Sequence, residues 1–279
     1  MPDRVIFPSL DGFEPTRQTL QLYSRAIGVI PRAHGDFHPK WWHISLKVEP
    51  NGLITDKMRG ADGGVLRLMM DLTQHKVVFL LNGEPVQEIS MLEGKSATAF
   101  GETLLAISAE FGLSGDYARE KFWNDEPRQY DPDMAETYLI ALVNAQRLFQ
   151  AHRTTLSGEV SPIQLWPHGF DLAFEWYGTR TQMYEEEGET GEHPSQLNLG
   201  FYPGNTADAY FYSNPWPFEA EALLSQELPV GAKWYNEGWQ GSLFPYAELV
   251  GDARAEERLR GYARAVYEIA SPTLMAGWE

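Results

Sequence analysis

Lys76-Val77-Val78-Phe79-Leu80-Leu81-Asn82-Gly83-Glu84-Pro85-Val86-Gln87-Glu88-Ile89 decides the fold class. An apolar run of strand formers stops at Asn82-Gly83, the dipeptide that suits the two positive-φ positions of a tight hairpin turn. A short strand follows from Val86 to Ile89, so the two pair antiparallel. Upstream, a further strand runs from Val65 to Leu72. Before it, Trp41 to Glu49 alternates strictly, with Trp42, Ile44, Leu46 and Val48 on one side and Trp41, His43, Ser45 and Lys47 on the other, ahead of a turn at Asn51-Gly52. Gly204-Asn205 marks a second hairpin turn. Helical spacing appears elsewhere: Pro15 to Ile30 (Leu20, Tyr23, Ile27, Ile30), Ser96 to Phe111 (Phe100, Leu104, Ile107, Phe111) and Met134 to His152 behind a capping box of Asp133 and Glu136. The last is Ala253 to Ala270 (Leu259, Tyr262, Val266, Ile269). The class is α+β, with a largely antiparallel sheet and helices on one face.

The pattern restarts near Ser161. Pro39 with Trp42, Ile44, Leu46 and Val48 lines up without a gap on Pro167 with Phe170, Leu172, Phe174 and Trp176. Leu66, Leu68 and Met70 match Leu197, Leu199 and Phe201. Val77, Val78 and Phe79 match Tyr210, Phe211 and Tyr212, and Lys121 to Asp125 matches Lys233 to Glu237. This order suggests an internal duplication of a β-β-β-α-α unit. Residues 1–38 form an N-terminal helical segment, and residues 39–153 and 162–279 form two α+β repeats about a pseudo-twofold axis in one compact unit. The acidic run Glu185 to Glu192 interrupts the second repeat and reads as a solvated, mobile loop.

Composition bounds the chemistry. The 279 residues carry 22 Lys plus Arg against 39 Asp plus Glu, a formal net charge of −17, and no cysteine. Disulfides, thiol nucleophiles and cysteine-ligated metals are thereby excluded. A sequence pI near 4.8 argues against nucleic acid and against a membrane surface as partners. No run of about 18 apolar residues occurs, and Met1-Pro2-Asp3-Arg4 lacks the layout of a signal peptide, so a cytoplasmic protein is expected. Gly60-Ala61-Asp62-Gly63-Gly64 lacks the Lys-Ser/Thr of a phosphate-binding loop, and Ser157-Gly158 and Ser161-Pro162 lack the glycines of a nucleophile elbow.

Two segments, Trp41-Trp42-His43-Ile44-Ser45-Leu46 and Ser161-Pro162-Ile163-Gln164-Leu165-Trp166-Pro167-His168-Gly169-Phe170-Asp171-Leu172-Ala173, join Gly200-Phe201-Tyr202-Pro203-Gly204, Phe211-Tyr212-Ser213 and Phe244-Pro245-Tyr246 in a pattern. It resembles an uncharacterised family of bacterial proteins known only as a domain of unknown function. The resemblance spans nearly the whole chain and implies no activity, cofactor or substrate. In that family's block a histidine commonly stands where this chain has Gln164, and an aromatic residue where it has Pro167, which weakens any scheme needing an imidazole at that point.

Candidate catalytic residues come from the repeat. On the polar faces of the matched strands His43 corresponds to Asp171 and Lys47 to Glu175. A carboxylate accepting the imidazole N–H fixes its tautomer and raises its pKa, which makes a general base near neutral pH, with Ser45 the nearest hydroxyl. The alternative is a set of cross-strand charge contacts on a solvated face. The remaining histidines show no metal-ligand spacing, and neither metal nor cofactor is expected. Aromatic residues make up 13% of the chain, and the alternation of Tyr210-Phe211-Tyr212 leaves both tyrosines on one side. With Trp41 and Trp216 they suit stacking on planar ligands, with Ser45 and Lys47 as polar contacts.

Three functions follow as expectations. The first is binding of a neutral or cationic small molecule in an aromatic-lined cleft between the halves, since −17 disfavours anions at long range. The second is a hydrolase- or isomerase-like enzyme built on His43, Asp171 and Glu175. The third is an interaction or homodimer module using Tyr210, Tyr212 and Trp216.

Overall fold

The computed structural model describes residues 6–60, 63–186, 189–204 and 208–278. Its contacts divide the chain into an N-terminal unit, Leu10–Val143 with Gln164–Asp171, and a C-terminal unit, Met1–Ser9 with Asn144–Ile163 and Leu172–Glu279. These bounds differ from the sequence halves 39–153 and 162–279.

The N-terminal unit opens with helix α1, Glu14–His34, whose first turn accepts Pro15 because the missing N–H would have no intrahelical partner there. Its sheet contains β1 (Lys47–Glu49), β2 (Gly52–Ile54), β3 (Met58–Arg59), β4 (Val65–Asp71), β5 (Lys76–Leu81) and β6 (Glu84–Ser90). The strand order is β1-β2-β4-β5-β6, with β3 also on β4, and every one of these pairings is antiparallel. Asn82 (φ 53°) and Gly83 (φ 92°) both take positive φ and Leu81 pairs with Glu84, so the hairpin turn is the expected one. Helix α2, Ala97–Glu110, starts at Ser96, whose Oγ accepts from the Ala99 N–H at 3.1 Å. It lies against α1 with the rings of Phe100 and Tyr23 stacked at 3.7 Å. Helix α3, Pro132–Arg153, whose residues from Asn144 are assigned to the other unit, is capped by Asp131, whose Oδ1 accepts from the N–H groups of Asp133 and Met134, and not by Asp133 as the capping box implied. Strand β7, Gln164–Trp166, meets the segment before β1 through two backbone bonds between Leu46 and Leu165, at 2.9 and 2.8 Å.

The C-terminal unit holds β8 (Asp171–Glu186, its first residue assigned to the other unit), β9 (Glu189–Tyr202), β10 (Tyr210–Ser213), β11 (Pro215–Trp216), the single-turn helix α4 (Ala220–Leu223), β12 (Lys233–Tyr235), β13 (Gly241–Pro245) and helix α5 (Ala255–Ala270). Here the order is β12-β13-β10-β9-β8 with β11 on β9, again antiparallel. Phe211 anchors its aromatic core, within 5.0 Å of Phe201, 5.5 Å of Phe7 and 6.1 Å of Phe149 and Tyr246 by ring centroids. The α+β class and the antiparallel pairing therefore hold, in two sheets where one was expected.

Three expectations need correction. Trp41 to Glu49 is not one strand: Trp41 takes the left-handed conformation (φ 57°), Trp42–Ile44 forms a 3₁₀ turn, and the strand itself is only Lys47–Glu49. The Ser45 Oγ donates to the Trp42 carbonyl at 2.7 Å and closes that turn, a local bond that alternation cannot reveal. The correspondence of the halves does not extend to the elements. A 3₁₀ turn stands opposite the 16-residue strand β8, and Lys121 ends a 3₁₀ turn where Lys233–Tyr235 is a strand. Lastly, the described residues of the acidic run belong to β8 and β9, where a loop was expected, with the backbones paired at Tyr184–Gly191 and Glu185–Thr190. Glu187, Gly188, Asn205, Ala61, Asp62 and Met1 to Arg4 lie outside the described residues.

Candidate ligand-binding site

On α1, Arg25, Gly28, Val29 and Arg32 fall at i, i+3, i+4 and i+7, which the 3.6-residue period places along one face. This face borders a cavity of about 360 Å³ within the N-terminal unit. The other walls come from Ile44 of the 3₁₀ turn, Lys121 at the end of the short turn Arg119–Lys121, and Pro167 and His168 after β7. Gly28 keeps helix and loop close, since a Cβ there would stand 3.2 Å from Pro167 Cγ. Val29 and Pro167 are buried, whereas Arg32, Lys121 and His168 are exposed at the rim.

Each arginine is held in place. The His168 carbonyl accepts from Arg25 Nη2 and from Gln21 Nε2 (2.8 Å), and the loop is closed by the Phe170 N–H on the Trp166 carbonyl at 2.7 Å, with Phe170 left-handed (φ 58°). Arg25 Nε is buried and has no hydrogen-bond partner among the described residues. Burial, with the charge of Arg17, pulls the Arg25 pKa down from the usual guanidinium value. Arg32 lies over the Trp41 indole at 4.5 Å from its centroid. Among the described residues no carboxylate within 4.0 Å pairs with Arg25, Arg32 or Lys121.

The sequence-predicted residues separate into two groups. His43 is buried beside Trp41 and Phe37, and its Nδ1 accepts from the His38 N–H at 3.2 Å. Burial, followed by His38 and Arg32, pulls its pKa down, and the carboxylate opposing this is Asp56, not Asp171. The Ser45 hydroxyl shares its one proton between the Trp42 carbonyl and Gln164 Oε1, and Lys47 Nζ donates to the same Gln164 oxygen at 3.1 Å and to Ser45 Oγ at 3.2 Å, with Asp56 at 3.5 Å. Burial pulls the Lys47 pKa down, against the opposing effect of Asp56. His43, Ser45, Lys47 and Trp41 are thus neighbours, joined by Asp56 and Gln164, which were not foreseen as their partners. Asp171 starts β8 and its charge acts on Tyr138.

Glu175, Tyr210, Tyr212 and Trp216 belong to the C-terminal unit. The Glu175 backbone exchanges hydrogen bonds with Ser161. Tyr210 and Tyr212 do share a side of β10, opposite buried Phe211. Tyr212 covers Gly200 so closely that a Cβ there would meet its ring at 2.2 Å, and Tyr210 stacks with Trp239 at 6.3 Å. Trp216 meets Tyr184 edge to face at 5.8 Å. Among the described residues no group of three or more His, Asp or Glu side chains could hold a metal ion, and no helix is long and apolar enough to cross a membrane.

Residues 7–279 match the family model DUF5996, a family of unknown function. The chain belongs to that family. No curated protein and no solved structure matches it. Family membership agrees with the resemblance carried by the Trp-Trp-His and Phe-Asp-Leu-Ala segments, and it brings no activity with it. What sequence reasoning missed is the α1 face. Arg25 and Arg32 stand seven residues apart with Gly28 and Val29 between them, a visible signal, but their partners Lys121 and His168 are about 90 to 140 positions away in the chain.

Proposed function

We propose that this protein binds a small organic molecule in the cavity beside α1. One observation carries the reading: a cavity of about 360 Å³ combines buried apolar walls at Val29 and Pro167 with polar groups converging from separate chain segments. Ligand sites fall at roughly 300–1,000 Å³ and have this make-up of apolar lining with a few fixed polar groups. The orienting groups are pre-set, Arg25 by the His168 carbonyl and Arg32 by Trp41, so a ligand loses little to side-chain ordering.

The test is thermal unfolding across a panel of sugars, amines, nucleosides and organic acids, with the natural chain and with Ile44→Trp, which fills the cavity. A ligand at 100 times its Kd stabilises by about 2.7 kcal/mol, which raises Tm by several degrees in a chain of this size at about 2–4 °C per kcal/mol. The expected result is a hit whose shift disappears in Ile44→Trp. A hit that stabilises both proteins equally would place binding elsewhere.

A further inference from the structure

We infer that the ligand class of this cavity is an organic oxyanion, a carboxylate or phosphate monoester on a compact apolar body. This rests on the cavity reading above and goes beyond it by assigning the charge and shape of the ligand. The chain's net charge of −17 suggests the opposite sign, yet Arg25, Arg32 and Lys121 converge on one cavity with no carboxylate beside them among the described residues. An oxyanion in this space is attracted by all three, Arg25 on the wall and the exposed Arg32 and Lys121 at the rim. Repulsion from the rest of the molecule is long-ranged and is screened beyond about 8–10 Å in physiological salt, whereas contact with the three cations is not.

The second observation is independent of the charge count. Arg25 commits Nη2 to the His168 carbonyl, while its Nε, buried from solvent, donates to nothing among the described residues. The Nη2 bond fixes the guanidinium of Arg25 on the cavity wall, so its orientation is set before a ligand arrives. Carboxylate and phosphate oxygens are the acceptors that a guanidinium edge fits best. A neutral carbonyl could also accept, but it would leave the three charges unbalanced. Inorganic phosphate would satisfy the cations and leave Val29, Ile44 and Pro167 uncovered, whereas an apolar body takes their surface out of water. The two demands together select an anion with an apolar body.

The experiment is isothermal titration of the full chain with four probes at one ionic strength: benzoate, phenyl phosphate, benzamide and inorganic phosphate. The expected order places benzoate or phenyl phosphate at least tenfold tighter than both benzamide and inorganic phosphate, and the tighter of the two tells carboxylate from phosphate ester. Arg25→Gln should weaken the preferred anion at least tenfold while changing benzamide less than twofold, and Arg25→Lys should recover only part of that loss. Arg32→Gln changes an exposed residue and should weaken the anion several-fold even where Arg25→Gln fails to fold. Benzamide binding as tightly as benzoate, with Ile44→Trp abolishing both, would overturn the oxyanion and leave the cavity reading standing. Benzoate binding untouched by Ile44→Trp would overturn the cavity reading. No binding by either organic anion at millimolar concentration would overturn the oxyanion class.

Discussion

Gly101 shows how one residue fixes the N-terminal unit. It lies in α2 against the buried ring of Phe122, and a Cβ there would stand 2.3 Å from Phe122 Cε2. Gly101→Ala should therefore destabilise by roughly 1–3 kcal/mol through overpacking, although alanine is the better helix former; denaturant unfolding checks it by a lower midpoint at unchanged slope. His152 gives a second prediction in the C-terminal unit. It packs near Phe174 and Tyr267, and burial pulls its pKa from 6.5 to about 4. Above pH 6.5 it is neutral whether the chain is folded or unfolded. Below 6.5 the unfolded chain takes up the proton first, so stability falls with pH down to about 4 and levels off below that. The loss attributable to this residue is at most about 3 kcal/mol. Unfolding free energies measured from pH 7 to 4 should show this slope, and His152→Phe should flatten it; an identical slope in the variant would assign the acid sensitivity to other groups, His34 and His43 among them, whose pKa values are also lowered.

At the scale of elements, α2 rests on a single side-chain cap. Ser96→Ala removes the Oγ acceptor for the Ala99 N–H and should cost about 1 kcal/mol, while Ser96→Gly costs less; far-ultraviolet circular dichroism through a thermal melt measures both. Elements of strong period were legible: β5 spans Lys76–Leu81 as read from sequence, and α2 and α3 end within two residues of their expected bounds. Those readings succeeded because hairpin chemistry and helical spacing are local. The strand expected at Trp41–Glu49 failed for the same reason in reverse, since the alternation continued through residues whose backbone is set by the His38 carbonyl on the Trp41 N–H and by the Ser45 hydroxyl on Trp42. None of the residues lining the cavity beside α1 was singled out as a site residue from the sequence. Ser45 and Lys47 were singled out, but the pairing of His43 with Asp171 depended on a repeat whose matched segments became different elements. Gln164, which accepts from both Ser45 and Lys47, lies over 110 positions away and could not be found by spacing.

For the whole molecule, the sum of charges hides its distribution. A net charge of −17 describes the field far from the surface. At the cavity the local balance is reversed, because Arg25, Arg32 and Lys121 line it with no carboxylate among the described lining residues. Net charge therefore does not choose the sign of a small ligand, which is decided within a few ångströms. Arg25, on the cavity wall with its Nη2 held by the His168 carbonyl, reports on that decision. The most direct measurement is a nitrogen-15 NMR titration of the full chain with benzoate, following the arginine Nε–H resonances together with the backbone amides of Val29 and Ile44. A saturable shift of the Arg25 Nε–H, moving in step with Val29 and Ile44 and absent in Ile44→Trp, is the predicted result. Saturable shifts confined to residues outside this cavity, with Arg25 Nε–H unmoved, would contradict it.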